Sequence, residues 1–468
     1  MALIAAREKL GQIAKGIWFA IDAILKKPVN IVRLEEIEAK IHHDAQSAVE
    51  ERREVLREHP ELLEGEYHKK VTSYDIEDPA FVKMLADSVC EVVKAARDLR
   101  RAIASKAVAY RFTPALAKTH GQWAQIQSFG YECLTWHQDL ATPMTDIEYS
   151  AGRLQFSKMS GAIGNNAEID PELEIAALNE LGLKPWHGAT QIMPRVVYAS
   201  LASGLAHLVS QCAKVAGDIR LGARSGFKII EEPHGKDQKG SSAMPQKRNP
   251  VGCEQITGLA RAARHFAGML GENIETWESR SIEQSCVERI AWPDLFHISM
   301  RALTSLTKII NGLNVYPDVM MKEIIASAGT YASNETKTFL ADELDIAPDD
   351  AYSLIKLAAY NVFAPDTYER SLRENPPGSL IEADNAHGDF EQYRLCATIP
   401  TSIEFIIARG LLNSSPELDI DNVTVNVWNS KLRESFKDDA VKVAWHELFK
   451  PSRAMRNEAH SFKQVFGI

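Results

Sequence analysis

Apolar residues recur with helical spacing along most of this chain. Between residues 79 and 111 they stand at positions i, i+3 and i+4 among lysines and arginines, a pattern typical of a helix with one buried face. Four more stretches share this period, at about 123–156, 194–223, 250–277 and 285–313. Each is roughly 25–35 residues long, whereas an average helix has about 11. Because long antiparallel helices of similar length pack as bundles, the pattern predicts an all-α fold with a central bundle of long helices.

Strand patterns are scarce and lie late in the chain. Only residues 423–428 alternate apolar and polar side chains over a full strand length, as a half-buried strand requires. Pro317 interrupts the helical period, because proline does not continue a helix. These signals predict three regions: an N-terminal helical domain at 1–75, the long-helix bundle at 76–320, and a C-terminal helical domain at 321–468 with an extension of unknown role.

Composition narrows the classes of partner. The 468 residues are 45% hydrophobic and 25% charged, with a formal net charge of −10, so no overall basic field attracts nucleic acid. The N-terminus lacks the apolar segment of a signal peptide, and the most apolar run, 196–209, is too short and too polar to cross a bilayer. The six cysteines form no Cys-x-x-Cys pair, which favours reduced thiols over zinc ligands or disulfides. A cytoplasmic protein without membrane or nucleic-acid partners is predicted.

One loop is unusually informative. Residues 240–250 read Gly-Ser-Ser-Ala-Met-Pro-Gln-Lys-Arg-Asn-Pro, and a helical pattern begins at their end. Hydroxyls beside a glycine, followed by a cation close to a helix N-terminus, predict a mobile loop that carries a proton-transfer group to a bound anion. An ordinary surface turn explains the Gly, Ser and Pro residues but not this unbroken order.

This loop resembles the signature of the fumarase/aspartase superfamily, whose members release fumarate. Other segments resemble the same superfamily, and the likeness covers about residues 35–335 and is strongest to the adenylosuccinate lyase family. The segments are 71–75 (Val-Thr-Ser-Tyr-Asp), 118–122 (Lys-Thr-His-Gly-Gln), 158–165 (Lys-Met-Ser-Gly-Ala-Ile-Gly-Asn) and 189–195, where Ala-Thr-Gln precedes Pro-Arg.

The resemblance implies a β-elimination that releases fumarate from a succinylated nucleotide. Such a reaction needs a base to remove a proton beside a carboxylate, an acid to protonate the departing nitrogen, and fixed positive charge near the dianionic intermediate. No metal or organic cofactor is implied. The family also implies a homotetramer whose active sites are shared between subunits.

The resemblance assigns Ser241 as the base and His120 as the acid. A serine hydroxyl needs stabilisation of its alkoxide, here by backbone N–H groups and Lys247, while histidine donates a proton near pH 7. Further catalytic roles are implied for His43, His68, Lys247 and Glu254. Substrate contacts are implied for Thr72, Ser73, Asp75, Thr119, Gln191, Ser242, Met244, Asn249, Arg280, Ser285 and Arg289.

The last three of these residues bear on the substrate. Ser285 and Arg289 are four residues apart and share one helix face, and Arg280 precedes that helix. Two guanidinium groups and a hydroxyl near a helix start suit a phosphate or carboxylate, and the resemblance implies the succinyl carboxylate and the nucleotide phosphate. The alternative is that the arginines pair on the surface with Glu278, Glu283 or Glu288.

Some features depart from the family. Lys118 stands where arginine is usual and Trp123 where proline is common, and an Arg-Tyr segment usual near the start is absent from this sequence. Gln246 is more typical of argininosuccinate lyases. Two alternatives therefore stay open: another superfamily lyase, such as argininosuccinate lyase or 3-carboxymuconate cycloisomerase, or a catalytically silent relative.

Overall fold

The computed structural model of the chain describes residues 1–62, 66–226, 228–235, 238, 241, 243–363 and 436–468. Helices dominate these residues, so the predicted all-α fold is confirmed. The helices are α1 (Ala2–Lys9), α2 (Ile17–Leu25), α3 (Ile31–Ile41), α4 (Asp44–Arg57), α5 (Tyr74–Ala109), α6 (Phe129–Asp139), α7 (Ala141–Ala151), α8 (Pro171–Asn179), α9 (Val196–Gly222), α10 (Val251–Glu272), α11 (Glu283–Asn311), α12 (Pro317–Ala326), α13 (Ser333–Leu344), α14 (Pro348–Phe363), α15 (Asp439–Glu447), α16 (Pro451–Met455) and α17 (Glu458–Phe466).

The chain packs as two compact units, which are described separately below. Unit 1 comprises Met1–Arg100, Asp139–Gly217 and Val251–Lys308, and unit 2 comprises Arg101–Gln138, Asp218–Pro250 and Ile309–Ile468. The three regions expected from the sequence, 1–75, 76–320 and 321–468, stay a prediction.

The start of helix α5 is tied to the residues that precede it. Helix α5 starts at Tyr74, five residues before the predicted position. The Ser73 carbonyl accepts the Glu77 N–H at 2.9 Å, and the carboxylate of Asp75, in the first turn, accepts the Thr72 N–H at 2.8 Å. The α5 N-terminus therefore brings the Thr-Ser-Tyr-Asp segment into a fixed geometry.

The helix expected at 123–156 is wrong in its first part. Residues Pro114–Thr119 (β1) and Gln122–Ser128 (β2) form an antiparallel hairpin instead. The two turn residues, His120 and Gly121, both have positive φ, 53° and 76°, as a type I′ hairpin turn requires. Alternation of polar and apolar residues in β2 wins over the helical period, and helices α6 and α7 follow only from Phe129.

Two-stranded ladders make up the remaining β-structure of the described residues. They are β3 (Phe156–Ser157) with β4 (Lys184–Pro185) and β5 (Ile230–Glu231) with β6 (Asn314–Val315). The predicted break near Pro317 is confirmed, since α11 ends at Asn311 and Pro317 opens α12. The strand predicted at 423–428 lies outside the described residues.

Helix α9 belongs to unit 1 as far as Gly217 and is its most apolar long helix. Among the described residues it alone is long and apolar enough to cross a membrane, yet more than half of its most apolar stretch is buried in the protein. Leu201, Leu205, Val209 and Cys212 are fully buried, and burial raises the pKa of the Cys212 thiol to about 12. Its apolar character therefore serves packing inside the protein.

Unit 2 has an apolar core that supports the hairpin. Leu116 of β1 and Ile126 of β2 are buried in the same cluster as Ile324 of α12 and Tyr331. Trp445 of α15 is fully buried in this cluster. The base of the hairpin is thus fixed by apolar contacts, while its turn projects from them.

Candidate active site

An arginine and a glutamine that are distant in sequence meet in unit 1. Arg280 Nη1 donates a hydrogen bond to Gln191 Oε1 at 3.0 Å, and its guanidinium lies 4.6 Å from the centre of the Tyr74 ring. Gln191 is itself held, since its Nε2 donates to the Ala162 carbonyl at 2.8 Å. A guanidinium that is stacked and hydrogen-bonded has a fixed direction, so Arg280 is oriented before any ligand arrives.

The start of α11 completes this cluster. Ser285 is buried next to Gln284, whose Nε2 donates a hydrogen bond to the Tyr74 hydroxyl at 3.2 Å, and burial raises the pKa of the Tyr74 phenol. One turn further, exposed Arg289 forms an ion pair with Asp44. Tyr74, Ser285 and Arg289 line a cavity of about 570 Å³ between α5 and α11.

Two carboxyl groups, those of Glu77 and Asp44, lie close enough to the arginines for the charges to shift their pKa values. Burial, reinforced by the Asp44 charge, raises the pKa of Glu77, while Arg289 and Arg280 oppose this shift. Burial alone would raise the pKa of Asp44, but the hydrogen bond from Arg289 lowers it on balance. Asp44 is therefore an anion at neutral pH, and its carboxylate pairs with the Arg289 guanidinium.

A buried ion network, which sequence reasoning missed, fixes the helices behind the cluster. Arg195 Nη1 lies 3.0 Å from Asp78 of α5, and Arg195 Nε lies 2.8 Å from Glu288 of α11. Glu288 was the sequence alternative as a surface partner of Arg280 or Arg289, and the structure pairs it with Arg195 instead. No periodic pattern marks such a pairing, because the partners are 93 and 117 residues apart.

The Thr-Ser-Tyr-Asp segment is joined to the Gly-Ala-Ile-Gly turn by a second buried pair. Lys158 Nζ lies 2.7 Å from Asp75 Oδ1, and both side chains are fully buried. Lys158 also donates to the carbonyls of Gly161 and Gln191, at 3.0 and 2.9 Å. Thr72 is half-buried beside the buried Ser73. Asp75 thus holds the surrounding loops in place in this structure.

Of the predicted histidines in unit 1, His43 caps a helix and His68 lies in the turn region before α5. His43 precedes α4, and its Nδ1 accepts from the Gln46 N–H at 3.4 Å and lies 3.5 Å from Asp44. His68 has a positive φ of 64°, and its Nε2 is buried without a partner among the described residues. Burial, together with the Arg53 charge, lowers the pKa of His68, so the ring is neutral at pH 7.

In unit 2, His120 stands at the tip of the hairpin. Its side chain and that of Thr119 are exposed. A positive φ at a residue other than glycine is uncommon and concentrates at functional sites. The hairpin therefore presents an imidazole away from the apolar core that supports it.

The Ser241 hydroxyl is held by backbone N–H groups. Ser241 Oγ accepts hydrogen bonds from the N–H of Ala243 at 3.3 Å and of Met244 at 3.2 Å. Two such donors stabilise negative charge on that oxygen. Met244 and Lys247 are exposed in the same loop, Asn249 is half-buried, and Ser242 lies outside the described residues.

The predicted site residues are thus divided between the units. Glu254 is exposed on the first turn of α10, in unit 1. The described His, Cys, Asp and Glu side chains form no group suited to a metal ion.

The amino-acid sequence of the chain is similar to known lyases. Residues 1–264 match a family model described as lyase. Curated adenylosuccinate lyases are similar: that of Thermotoga maritima is 32% identical over 76% of this chain and 81% of its own, and that of Helicobacter pylori is 33% identical over 77% and 81%.

Solved structures share the fold. A fumarate lyase from Mesorhizobium sp. superposes with a TM-score of 0.69 at 21% identity, over 88% of this chain and 93% of that one. The β-carboxy-cis,cis-muconate cycloisomerase of Acinetobacter calcoaceticus gives a TM-score of 0.73 at 17% identity, over 100% and 93%. At this identity the likeness concerns the fold alone.

Proposed function

Because the chain belongs to the lyase family of the fumarase/aspartase superfamily and is an enzyme of the carbon–nitrogen lyase type, we propose that it cleaves adenylosuccinate to AMP and fumarate. The succinylcarboxamide ribotide of purine synthesis is proposed as a second substrate, since it presents the same succinylated amine and phosphate. Curated relatives above 30% identity that are adenylosuccinate lyases support this choice.

The observation that carries the proposal is the group of oriented anion-binding side chains in unit 1. Arg280 is fixed by Gln191 and Tyr74, and Arg289 lies nine residues further along with Ser285 between them. Guanidinium groups bind phosphates and carboxylates through paired, charge-assisted hydrogen bonds. A substrate with both a phosphate and a succinyl group uses two such positions. In this proposal Thr72, Ser73 and Gln191 complete the substrate contacts, and Asp75 positions them.

The elimination follows from the groups of unit 2. Ser241 Oγ, as an alkoxide stabilised by the Ala243 and Met244 N–H groups and by Lys247, removes the proton from the carbon beside the succinyl carboxylate. The electron pair moves through the carboxylate and expels the nitrogen, so the C–N bond breaks and fumarate forms. His120 gives its proton to the departing nitrogen.

The remaining residues act on binding and orientation in this proposal. His43 and His68 contact the substrate and help orient the acid, and Glu254 pairs with the acid histidine. Thr119, Ser242, Met244 and Asn249 contact the substrate from the hairpin and the loop.

The proposal includes a cytoplasmic homotetramer with shared sites. Large apolar side chains are exposed on the long helices of unit 1, among them Met84, at 66%, and Ile290, at 58%. An exposed apolar surface of this kind, where it is contiguous, is typical of protein interfaces. Packing of these helices against other copies of the chain would cover it.

Two assays test the substrate. The first follows ultraviolet absorbance with adenylosuccinate, argininosuccinate and 3-carboxymuconate in parallel; turnover of adenylosuccinate is expected, and preference for either other compound would assign the chain to that alternative.

The second is calorimetric titration with AMP, adenosine and fumarate. AMP should bind and compete with substrate, whereas adenosine, which lacks the phosphate, should not. Equal binding of AMP and adenosine would remove the nucleotide from the proposal.

A further inference from the structure

One buried carboxylate holds both strands of the hairpin that carries His120. Lys118 of β1 and Trp123 of β2 face each other across the hairpin, on either side of the turn. Lys118 Nζ lies 2.7 Å from Glu323 Oε1, and Trp123 Nε1 donates to the same oxygen at 3.1 Å. Glu323 belongs to α12 and is only 2% exposed. The turn is therefore held on both sides by the Glu323 carboxylate, and these contacts of Lys118 and Trp123 with Glu323 are called the anchor below.

The anchor lies where the hairpin needs it. An isolated two-stranded hairpin is marginally stable in water, and the apolar contacts of Leu116 and Ile126 reach only its base. Lys118 and Trp123 are the last cross-strand pair before the turn apart from Thr119 and Gln122. Beside the turn, the ion pair and hydrogen bond to Glu323 add to the backbone ladder and to the Trp123 ring, which packs against the apolar cluster.

A gain in folding stability alone does not explain why a carboxylate is buried at position 323. Burying a carboxylate costs more than a buried ion pair commonly returns, and Glu323 Oε2 has no hydrogen-bond partner among the described residues. An apolar side chain at this position would pack without that cost.

We propose that Lys118, Trp123 and Glu323 are positioning residues that hold the His120 turn in the orientation required for proton transfer. A proton donor must lie within hydrogen-bond reach of the group that it protonates, and small misplacement lowers turnover strongly. The inference rests on the proposed role of His120 as the acid. The three residues act through His120 and do not touch the substrate.

The kinetic test uses three variants that each remove one part of the anchor: Lys118→Met, Trp123→Phe and Glu323→Gln. Each should lower kcat by about tenfold or more and leave KM within about twofold of wild type. A general acid contributes at least about a hundredfold to the rate, so a misplaced acid loses part of that contribution. Lys118→Arg keeps a cation at the position, so this variant should retain most of the wild-type kcat that Lys118→Met loses. Lys322→Met is the matched control, since Lys322 lies on the same helix and makes an exposed pair with Asp318 at 3.9 Å; it should leave kcat unchanged.

The decisive arm repeats Glu323→Gln in a His120→Ala background. If the anchor acts through His120, the second substitution should cause little further loss. A full additional loss would overturn the proposal, because Glu323 would then act on something else. Loss of melting temperature with unchanged kcat in all three variants would overturn it as well, because the anchor would be structural only.

A measurement without substrate separates this proposal from the proposed function. Hydrogen exchange at the backbone amides from Thr119 to Gln122 should accelerate in Lys118→Met and Trp123→Phe, and return to the wild-type rate in Lys118→Arg. If the wild-type protein did not turn over adenylosuccinate, the proposed function would fail while this exchange still tested the anchor. Unchanged exchange in every variant would show that the turn does not depend on Glu323.

Discussion

Arg280 and Gln191 form a direct side-chain hydrogen bond of 3.0 Å although 89 residues separate them in sequence. Because Gln191 is tied to the Ala162 carbonyl and Tyr74 stacks on the guanidinium, the arginine has one favoured direction. An oriented cation binds an anion with less loss of side-chain entropy than a mobile one.

Arg280→Lys tests this orientation. Lysine keeps the charge but loses the planar fork and the stacking on Tyr74, so KM for adenylosuccinate should rise by about tenfold, equivalent to about 1.4 kcal/mol. Steady-state kinetics measure the change. Arg264→Lys is the control, because Arg264 makes an exposed hydrogen bond to Ser210; equal effects of the two substitutions would contradict a special role for Arg280.

Ser241→Ala tests the proposed base. The variant keeps the loop backbone but lacks the oxygen that the Ala243 and Met244 N–H groups bind. Turnover should fall below about a tenth of wild type, a loss of more than about 1.4 kcal/mol in activation free energy, while calorimetry still detects AMP. Ser105→Ala, at an exposed helix serine, is the control. Retention of more than a tenth of the activity would assign the base elsewhere.

Asp44→Asn should increase the affinity for AMP. In the free protein the Asp44 carboxylate neutralises Arg289, so an incoming anion must displace it. Exposed ion pairs contribute about 0.2–1 kcal/mol, which predicts at most about a fivefold tighter Kd by calorimetry. The matched control is Glu148→Gln, which removes the exposed pair with Arg97. Weaker AMP binding in Asp44→Asn would mean that Asp44 assists the ligand.

His68 predicts a pH dependence of stability. Its lowered pKa means that the folded protein binds fewer protons than the unfolded protein between that value and the ordinary 6.5. The free energy of unfolding should therefore fall as the pH drops through about 6.5. His68→Asn, which tolerates the positive φ, should lose less melting temperature between about pH 7.5 and 5.5 than wild type. Parallel curves for both proteins would refute the assignment.

Shared active sites can be tested by complementation. Inactive Ser241→Ala and His120→Ala proteins should regain activity when unfolded together and refolded as a mixture, because some mixed assemblies then hold an intact Ser241 and His120 in one site. Light scattering should report a tetramer throughout. A mixture as inactive as its components, in assemblies shown to be mixed, would indicate sites built within one subunit.

The long helices could be predicted because each has a continuous apolar period. Helices α9, α10 and α11 begin and end within five residues of the predicted bounds, the largest difference being the end of α10 at Glu272, and the break before Pro317 follows from proline geometry. The hairpin was missed because a window of helical length averaged a strand, Gln122–Ser128, with the helices that follow it. A two-residue turn at His120 and Gly121 offers only a short local signal.

The contacts within the site could be predicted only in part. The loop order and the Arg-x4-Ser-x3-Arg spacing point to candidate residues, because local order persists in the chain. Pairings such as Asp44 with Arg289, 245 residues apart, depend on packing, and no periodicity records them. Arg195 and Asp78 were missed for the same reason.

The positive φ at His120 also shapes how this chain can change during evolution. Asparagine accepts that backbone conformation more readily than most residues, and a single nucleotide substitution converts a histidine codon to an asparagine codon. Such a change would keep the turn and its anchor while removing the only proton donor proposed for the leaving nitrogen. Loss of catalysis at this position is therefore separable from loss of folding, and a gene copy released from selection for turnover could persist as a stable, expressed protein.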